Sequence, residues 1–178
     1  FNAVKRGKHS VPAVGFMHAY VPWKGADLAC EAIRIARASL PKLDCVSFGM
    51  HGPTPAHPVP VNTRFTLLPG SSTLRGIYAQ CDAWIVASRS EGFGLPILES
   101  MACRTPVIAT PTGAAPELVG KGGGILVGHE SPQSIADAIL RIAKMSGPQW
   151  KEMSDCAYAT ARGYTWDDAT GLFEQALQ

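Results

Sequence analysis

Two glutamates with seven residues between them, Glu91 and Glu99, enclose the part of the sequence best equipped for chemistry. The apolar run Ala83–Ser88 reads as a strand, Gly92 and Gly94 supply the loop after it, and Pro96 suits the first turn of a helix. At such a turn the amides of Gly94, Leu95 and Ile97 lack intrahelical partners and form an anion site. The helix end adds about 0.3–1 kcal/mol per charge, and the two glycines let a ligand approach the backbone. A carboxylate beside that site repels the anion. Glu91 and Glu99 are therefore better read as acceptors for hydroxyl groups, at roughly 1.5–3 kcal/mol for each charge-assisted hydrogen bond. A phosphate with diols on both sides has that layout, and a nucleotide sugar (ribose, diphosphate, sugar) is such a ligand. Taken singly, each piece has an ordinary reading: a solvated helix residue for Glu99, a loop charge for Glu91, turn glycines for Gly92 and Gly94. Together, at a strand-to-helix switch, they read as a site.

Other chemistries are excluded by inspection. The sequence has no Gly-x-x-x-x-Gly-Lys-Ser/Thr phosphate loop and no Gly-x-Gly-x-x-Gly, since Gly92-Phe93-Gly94 continues as Leu-Pro-Ile. Gly-x-Ser-x-Gly and His-Glu-x-x-His are absent as well. No Asp-x-Asp occurs, so a bound diphosphate would be neutralised by protein groups without a metal. Segment 51–63 holds His51 and His57 among Pro53, Pro55, Pro58 and Pro60, which makes a stiff surface loop with no third metal ligand in view.

Elements that position these residues are legible from the alternation of short apolar runs with amphipathic stretches. Strands are predicted at Ala13–Met17, Cys45–Gly49, Ala83–Ser88, Pro106–Thr110 and Gly124–Val127, with a weaker one at Arg64–Leu68. Helices are predicted at Ala26–Ser39, Thr73–Gln80, Pro96–Cys103 and Pro132–Met145, with a short turn at Ala115–Val119. Ser131 before Pro132, followed by Ile135, Ile139 and Ile142 on one face, shows helix grammar most clearly. Two helices close the chain, Gln149–Ala161 and Trp166–Leu177, the second opened by Thr165 and Asp168. The fold expected is α/β, a doubly wound, Rossmann-like parallel sheet with helices on both faces and its ligand beyond the carboxyl ends of the strands.

A chain of 178 residues, 46% hydrophobic and 17% charged, fits one well-packed domain over 11–178. Phe1 to Ser10 is polar and basic, without an initiating methionine, and reads as a linker or the start of a fragment. The net charge of +2 and the scattered basic residues exclude a nucleic-acid binder's stripe. Five cysteines without a Cys-x-x-Cys pair read as free thiols of a reducing compartment. The apolar runs are too short to span a bilayer and no signal-peptide core opens the chain. A cytoplasmic location is expected, with peripheral membrane association compatible.

The frame Glu91…Glu99, its Gly-Phe-Gly-Leu-Pro centre and the continuation Met101-Ala102-Cys103-Arg104-Thr105-Pro106-Val107-Ile108-Ala109 resemble glycosyltransferase family 4. The resemblance runs from about Val14 to the C-terminus. It takes in Lys24-Gly25, Tyr78-Ala79-Gln80-Cys81-Asp82, Gly113-Ala114-Ala115-Pro116-Glu117 and Gly123-Gly124-Ile125-Leu126-Val127. It implies the C-terminal, donor-binding half of a GT-B architecture. The enzyme implied is retaining and metal-independent, moving a sugar from a nucleoside diphosphate sugar to a glycan or other hydroxyl acceptor held mainly by a preceding N-terminal domain. No cofactor or metal is implied. By the same resemblance Glu99 holds the ribose hydroxyls and Glu91 those of the transferred sugar. Gly92, Phe93, Gly94 and Leu95 meet the sugar and diphosphate, and Lys24 contacts the phosphates. Where the family carries an arginine five or six positions before that lysine, this sequence has Ala19 and His18, with His18 the candidate stand-in. The chain alone is then expected to bind donor with little or no transfer. Three alternatives remain: a nucleotide-sugar-binding regulatory module, a nucleotide-sugar epimerase on a similar scaffold, and a plain interaction domain.

Overall fold

The computed structural model describes residues 1–165, 170, 171, 174 and 175. Six parallel strands form one sheet: β1 (Ala13–His18), β2 (Asp44–Gly49), β3 (Thr63–Leu67), β4 (Ala83–Val86), β5 (Val107–Ala109) and β6 (Gly124–Leu126). Their order is β3-β2-β1-β4-β5-β6. From β1 the chain winds outward through β2 to β3, then returns to lay β4 on the other side of β1. The switch point of this doubly wound sheet lies between β1 and β4.

Helices cover both faces, as expected. α1 (Ala26–Ser39) and α5 (Pro132–Lys144) close one core over Phe16, Ile33, Ile85, Ile108, Ile135 and Ile139. α2 (Ser71–Ala79), α3 (Leu95–Ala102) and the short α4 (Ala115–Leu118) close the other over Tyr78, Trp84, Ile97, Met101 and Leu118. α6 (Gly147–Arg162) begins with Trp150 in the first core and ends with Ala157 and Ala161 in the second. The inner strands β1, β2, β4 and β5 are buried almost throughout because both faces are covered, whereas the edge strands β3 and β6 are partly exposed.

Boundaries moved where caps or close contacts decided them. α6 starts at Gly147 rather than Gln149, because Ser146 and Gln149 form a reciprocal capping box. β4 ends at Val86, so Ala87 and Ser88 leave the sheet and enter the site. The closing helix predicted for Trp166–Leu177 falls, at Trp166, Asp168 and Phe173, outside the described residues.

Phe1 to Ser10 forms no regular element, yet it is fastened to the domain. Arg6 Nε donates to the Ala79 carbonyl at 2.6 Å, the His9 amide donates to Asp82 at 3.0 Å, and Lys8 donates to the Met145 carbonyl at 3.0 Å. All five cysteines are free. Among the described residues no helix is long and apolar enough to cross a membrane.

Candidate functional site

The site is built where β1 and β4 end side by side. After β1 the chain makes a 3-10 turn over Pro22–Lys24 and enters α1 through Gly25 at φ 63°. A β-carbon at Gly25 would lie 1.9 Å from the carbonyl oxygen of Ala87, so only glycine lets the start of α1 come this close to the end of β4. Arg89 fastens the same junction. Its amide donates to the Trp23 carbonyl at 2.8 Å, and its guanidinium reaches the Pro22 carbonyl at 2.6 Å. The guanidinium also grips both Asp27 oxygens at 2.9 and 2.8 Å, and Glu130 at 2.5 Å.

That closure brings Lys24 onto Glu91. The Lys24 ammonium donates to both carboxylate oxygens, at 2.8 and 2.9 Å, and the Ser88 hydroxyl donates to one of them at 2.8 Å. The Glu91 side chain is 7% exposed and the Lys24 side chain 25%, so the pair is largely shielded from water. Glu99 lies inside α3 and is half-buried. Its Oε2 accepts the hydroxyl of Tyr78 at 2.8 Å. Burial, and then the neighbouring Glu99 carboxylate, holds that hydroxyl protonated far above the ordinary tyrosine range.

Between the two glutamates the chain turns on Gly94, at φ 97°, which precedes the first turn of α3. Gly92, Phe93 and Leu95 are exposed, and the Phe93 carbonyl is tied back by the Ala114 amide at 2.9 Å. One expectation is corrected here. The Ile97 amide is not free, since it donates to the Gly94 carbonyl at 2.9 Å. With Pro96 carrying no N–H, the anion site reduces to the amides of Gly94 and Leu95, which have no partner among the described residues.

His18 is not brought to Lys24 and Glu91. Its ring is 3% exposed and packs edge-on against Tyr20 and Phe65, with neither nitrogen hydrogen-bonded. It lines a separate cavity of about 730 Å³ between α1 and the proline-rich segment 56–61. The physical cause is strand alternation: Val14, Phe16 and His18 share the face that packs under α1. Burial, then His57 and His51, lowers the His18 pKa below the ordinary value. His57 itself stacks on Tyr20 at 4.1 Å, and no cluster of His, Cys, Asp or Glu among the described residues could hold a metal. Ser88, Tyr78 and Arg89 were not singled out from the sequence as site residues. A serine at a strand end carries no signal, Tyr78 entered only as part of the Tyr78–Asp82 motif, and the Arg89 staple joins segments distant along the chain.

With this geometry in hand, likeness to known proteins is informative. Residues 9–145 match the family described as glycosyl transferases group 1. A D-inositol 3-phosphate glycosyltransferase of Mycobacterium leprae is 32% identical over 174 residues, covering 88% of this chain and 39% of that protein. The C-terminal domain of a group 1 glycosyl transferase family protein, LpcC, from Francisella tularensis superposes with a TM-score of 0.72 at 27% identity, over 85% of each chain. HepE of Anabaena, solved in complex with UDP-glucose, shares the fold with a TM-score of 0.72 at 22% identity, over 85% of this chain and 44% of HepE. The chain spans about a quarter to two-fifths of the length of the curated relatives it matches.

Proposed function

This chain belongs to the group 1 glycosyltransferases, and from that membership we propose that it is the donor-binding domain of a retaining, metal-independent sugar transferase. The donor is a nucleoside diphosphate sugar. The acceptor is a glycan or other hydroxyl, held mainly by an N-terminal domain of the whole enzyme. A cytoplasmic setting is in keeping with the five free thiols.

The observation that carries this reading is the Lys24–Glu91 pair at the sheet's switch point. It puts a cation suited to phosphate and a carboxylate suited to hydroxyls within one hydrogen bond of each other. When donor enters, Lys24 turns from Glu91 to the diphosphate, and the freed Glu91 oxygens accept hydroxyls of the transferred sugar. The bond from the anomeric carbon to the diphosphate oxygen then breaks with its electron pair on that oxygen. Lys24 and the amides of Gly94 and Leu95 stabilise the charge that develops there. The acceptor oxygen adds from the same face and gives its proton to the departing phosphate. Glu91 positions the sugar; Glu99 holds the ribose diol. The D-inositol 3-phosphate glycosyltransferase name of the Mycobacterium leprae relative, and the UDP-glucose bound to HepE, support sugar transfer from a nucleotide donor.

Calorimetric titration with UDP, GDP, ADP and their glucose conjugates, without added metal, tests the reading. Binding is expected, and Glu99→Ala should weaken it by roughly 1.5–3 kcal/mol, about 10- to 150-fold. If none of these ligands binds, or the variant binds as well as the parent, the assignment is wrong. A second reading, a donor sensor without transfer, is favoured by the withdrawal of His18 from the site. Turnover by the whole enzyme decides between them.

A further inference from the structure

We propose that Tyr78 is a positioning residue for nucleotide binding, using its buried hydroxyl to fix one oxygen of Glu99 so that the carboxylate meets a vicinal diol in one orientation. The inference rests on the donor-site reading above, and it adds what makes Glu99 selective for ribose.

Tyr78 is 0% exposed, and its ring is confined on three sides. Trp84 meets it edge-on at 4.5 Å, Phe48 at 5.9 Å and Phe1 at 6.0 Å. Its carbonyl accepts the Thr105 hydroxyl at 2.7 Å, which ties the end of α2 to the segment after α3. A phenol so confined has little freedom, and its single donated hydrogen bond, 2.8 Å to Glu99 Oε2, is the polar contact it makes through its side chain among the described residues.

Glu99 needs such a partner. A glutamate carboxylate rotates freely about its last torsion unless something holds it. With Oε2 committed to Tyr78, Oε1 and the second lone pair of Oε2 remain, and they lie in a defined plane. Two adjacent hydroxyls can donate to that edge together, whereas a single hydroxyl cannot use it fully. Tyr78 touches no ligand in this scheme and acts through Glu99 alone.

The test compares ribose with deoxyribose. The full 178-residue chain, Tyr78→Phe, Glu99→Ala and the double variant are titrated with UDP, GDP and ADP and with the 2′-deoxy form of each. The parent should prefer the ribo form. Tyr78→Phe keeps the ring and its packing, and should cut that preference about five- to tenfold while weakening the deoxynucleotides, which keep one hydroxyl, less than about twofold. In the Glu99→Ala background, Tyr78→Phe should have no further effect. A merely structural role would weaken ribo and deoxy forms alike, and that result overturns the inference.

The two levels of failure are distinguishable. If Glu99→Ala loses the preference and Tyr78→Phe keeps it, only the tyrosine's role falls. If the parent binds nothing or does not discriminate, the donor-site reading falls and this inference with it. Should Tyr78→Phe melt below the assay temperature, Glu99→Gln answers with the tyrosine intact. Held by the Tyr78 hydroxyl through either its oxygen or its NH2 group, the amide offers the ligand at most one accepting oxygen, so the preference should fall below half that of the parent. A Glu99→Gln chain that keeps half the preference or more overturns the proposal.

Discussion

Glu91 and Glu99 are close in sequence and of one chemical type, yet they are held in different ways. Glu91 sits in a loop and is placed by distant segments. Lys24 comes from the turn after β1, Ser88 from the end of β4, and the approach of the two depends on the missing side chain of Gly25. Glu99 is carried by α3 and needs one further contact, the Tyr78 hydroxyl. The first carboxylate has its charge already matched inside the protein; the second accepts a neutral donor and has no cation paired with it among the described residues. In the proposed scheme Glu91 is therefore a poised group, released only when the donor takes Lys24, and Glu99 is a standing one.

The largest expected effect strikes the Glu91 arm through its backbone. Gly25→Ala combines a left-handed φ of 63° with a β-carbon 1.9 Å from the Ala87 oxygen, and should cost about 3 kcal/mol or more. Gly94→Ala, at φ 97° but meeting only the end of Ile97 at 3.2 Å, should cost about 1–2 kcal/mol. Urea midpoints measure both. Equal losses would mean that the close approach at Gly25 is not what assembles the Glu91 arm.

Next in size is the contrast between the partners. Lys24→Met removes the cation from a carboxylate that is 7% exposed and should cost about 2–3 kcal/mol, somewhat below a fully buried pair because Lys24 itself reaches water. Tyr78→Phe leaves a half-exposed Glu99 that water can serve, and should cost less than about 1 kcal/mol. Thermal melts of the two variants settle the order, and a reversed order would collapse the distinction between poised and standing carboxylates.

The smallest effect concerns His18, which belongs to neither arm. Burial, then His57 and His51, disfavours its charged form, so it binds a proton more weakly folded than unfolded. The unfolded chain takes up more protons as pH falls. Stability from this group is thus lost from about the ordinary value of 6.5 downward, until the lower folded pKa is passed, and is unaffected above that window. The loss in urea midpoint between about pH 7.5 and about pH 5.5 should shrink in His18→Phe, where Tyr20 and Phe65 still pack against a ring. A variant as pH-sensitive as the parent would show that His18 titrates as an exposed histidine does.

Much of this was legible in the sequence because it is local. The apolar runs at 13–17, 45–49 and 83–88 gave β1, β2 and β4 to within two residues, and Ser131 with Pro132 gave the start of α5. The glycine loop before Pro96 gave the turn into α3. The differences have separate causes. The Ile97 amide was lost to a tight first turn, α6 began earlier through a side-chain cap, and His18 was turned from the site by strand alternation. The Ile97 contact depends on backbone geometry reached only on folding, whereas the Ser146–Gln149 cap and the alternation along β1 are local patterns that the sequence already carried.

The sequence by itself determined a doubly wound parallel sheet, a strand–glycine loop–helix unit bearing Glu91 and Glu99, and membership of a sugar-transferring family. Periodicity, turn residues and motif spacing are properties of neighbours along the chain, so they can be read before folding. Only the tertiary structure decided what each glutamate is bonded to. Lys24 and Glu91 are 67 positions apart, and Tyr78 and Glu99 are 21 apart. Such pairs form because parallel strands β1 and β4 end together and α2 packs on α3, and hydrogen-bond partners are chosen by that juxtaposition.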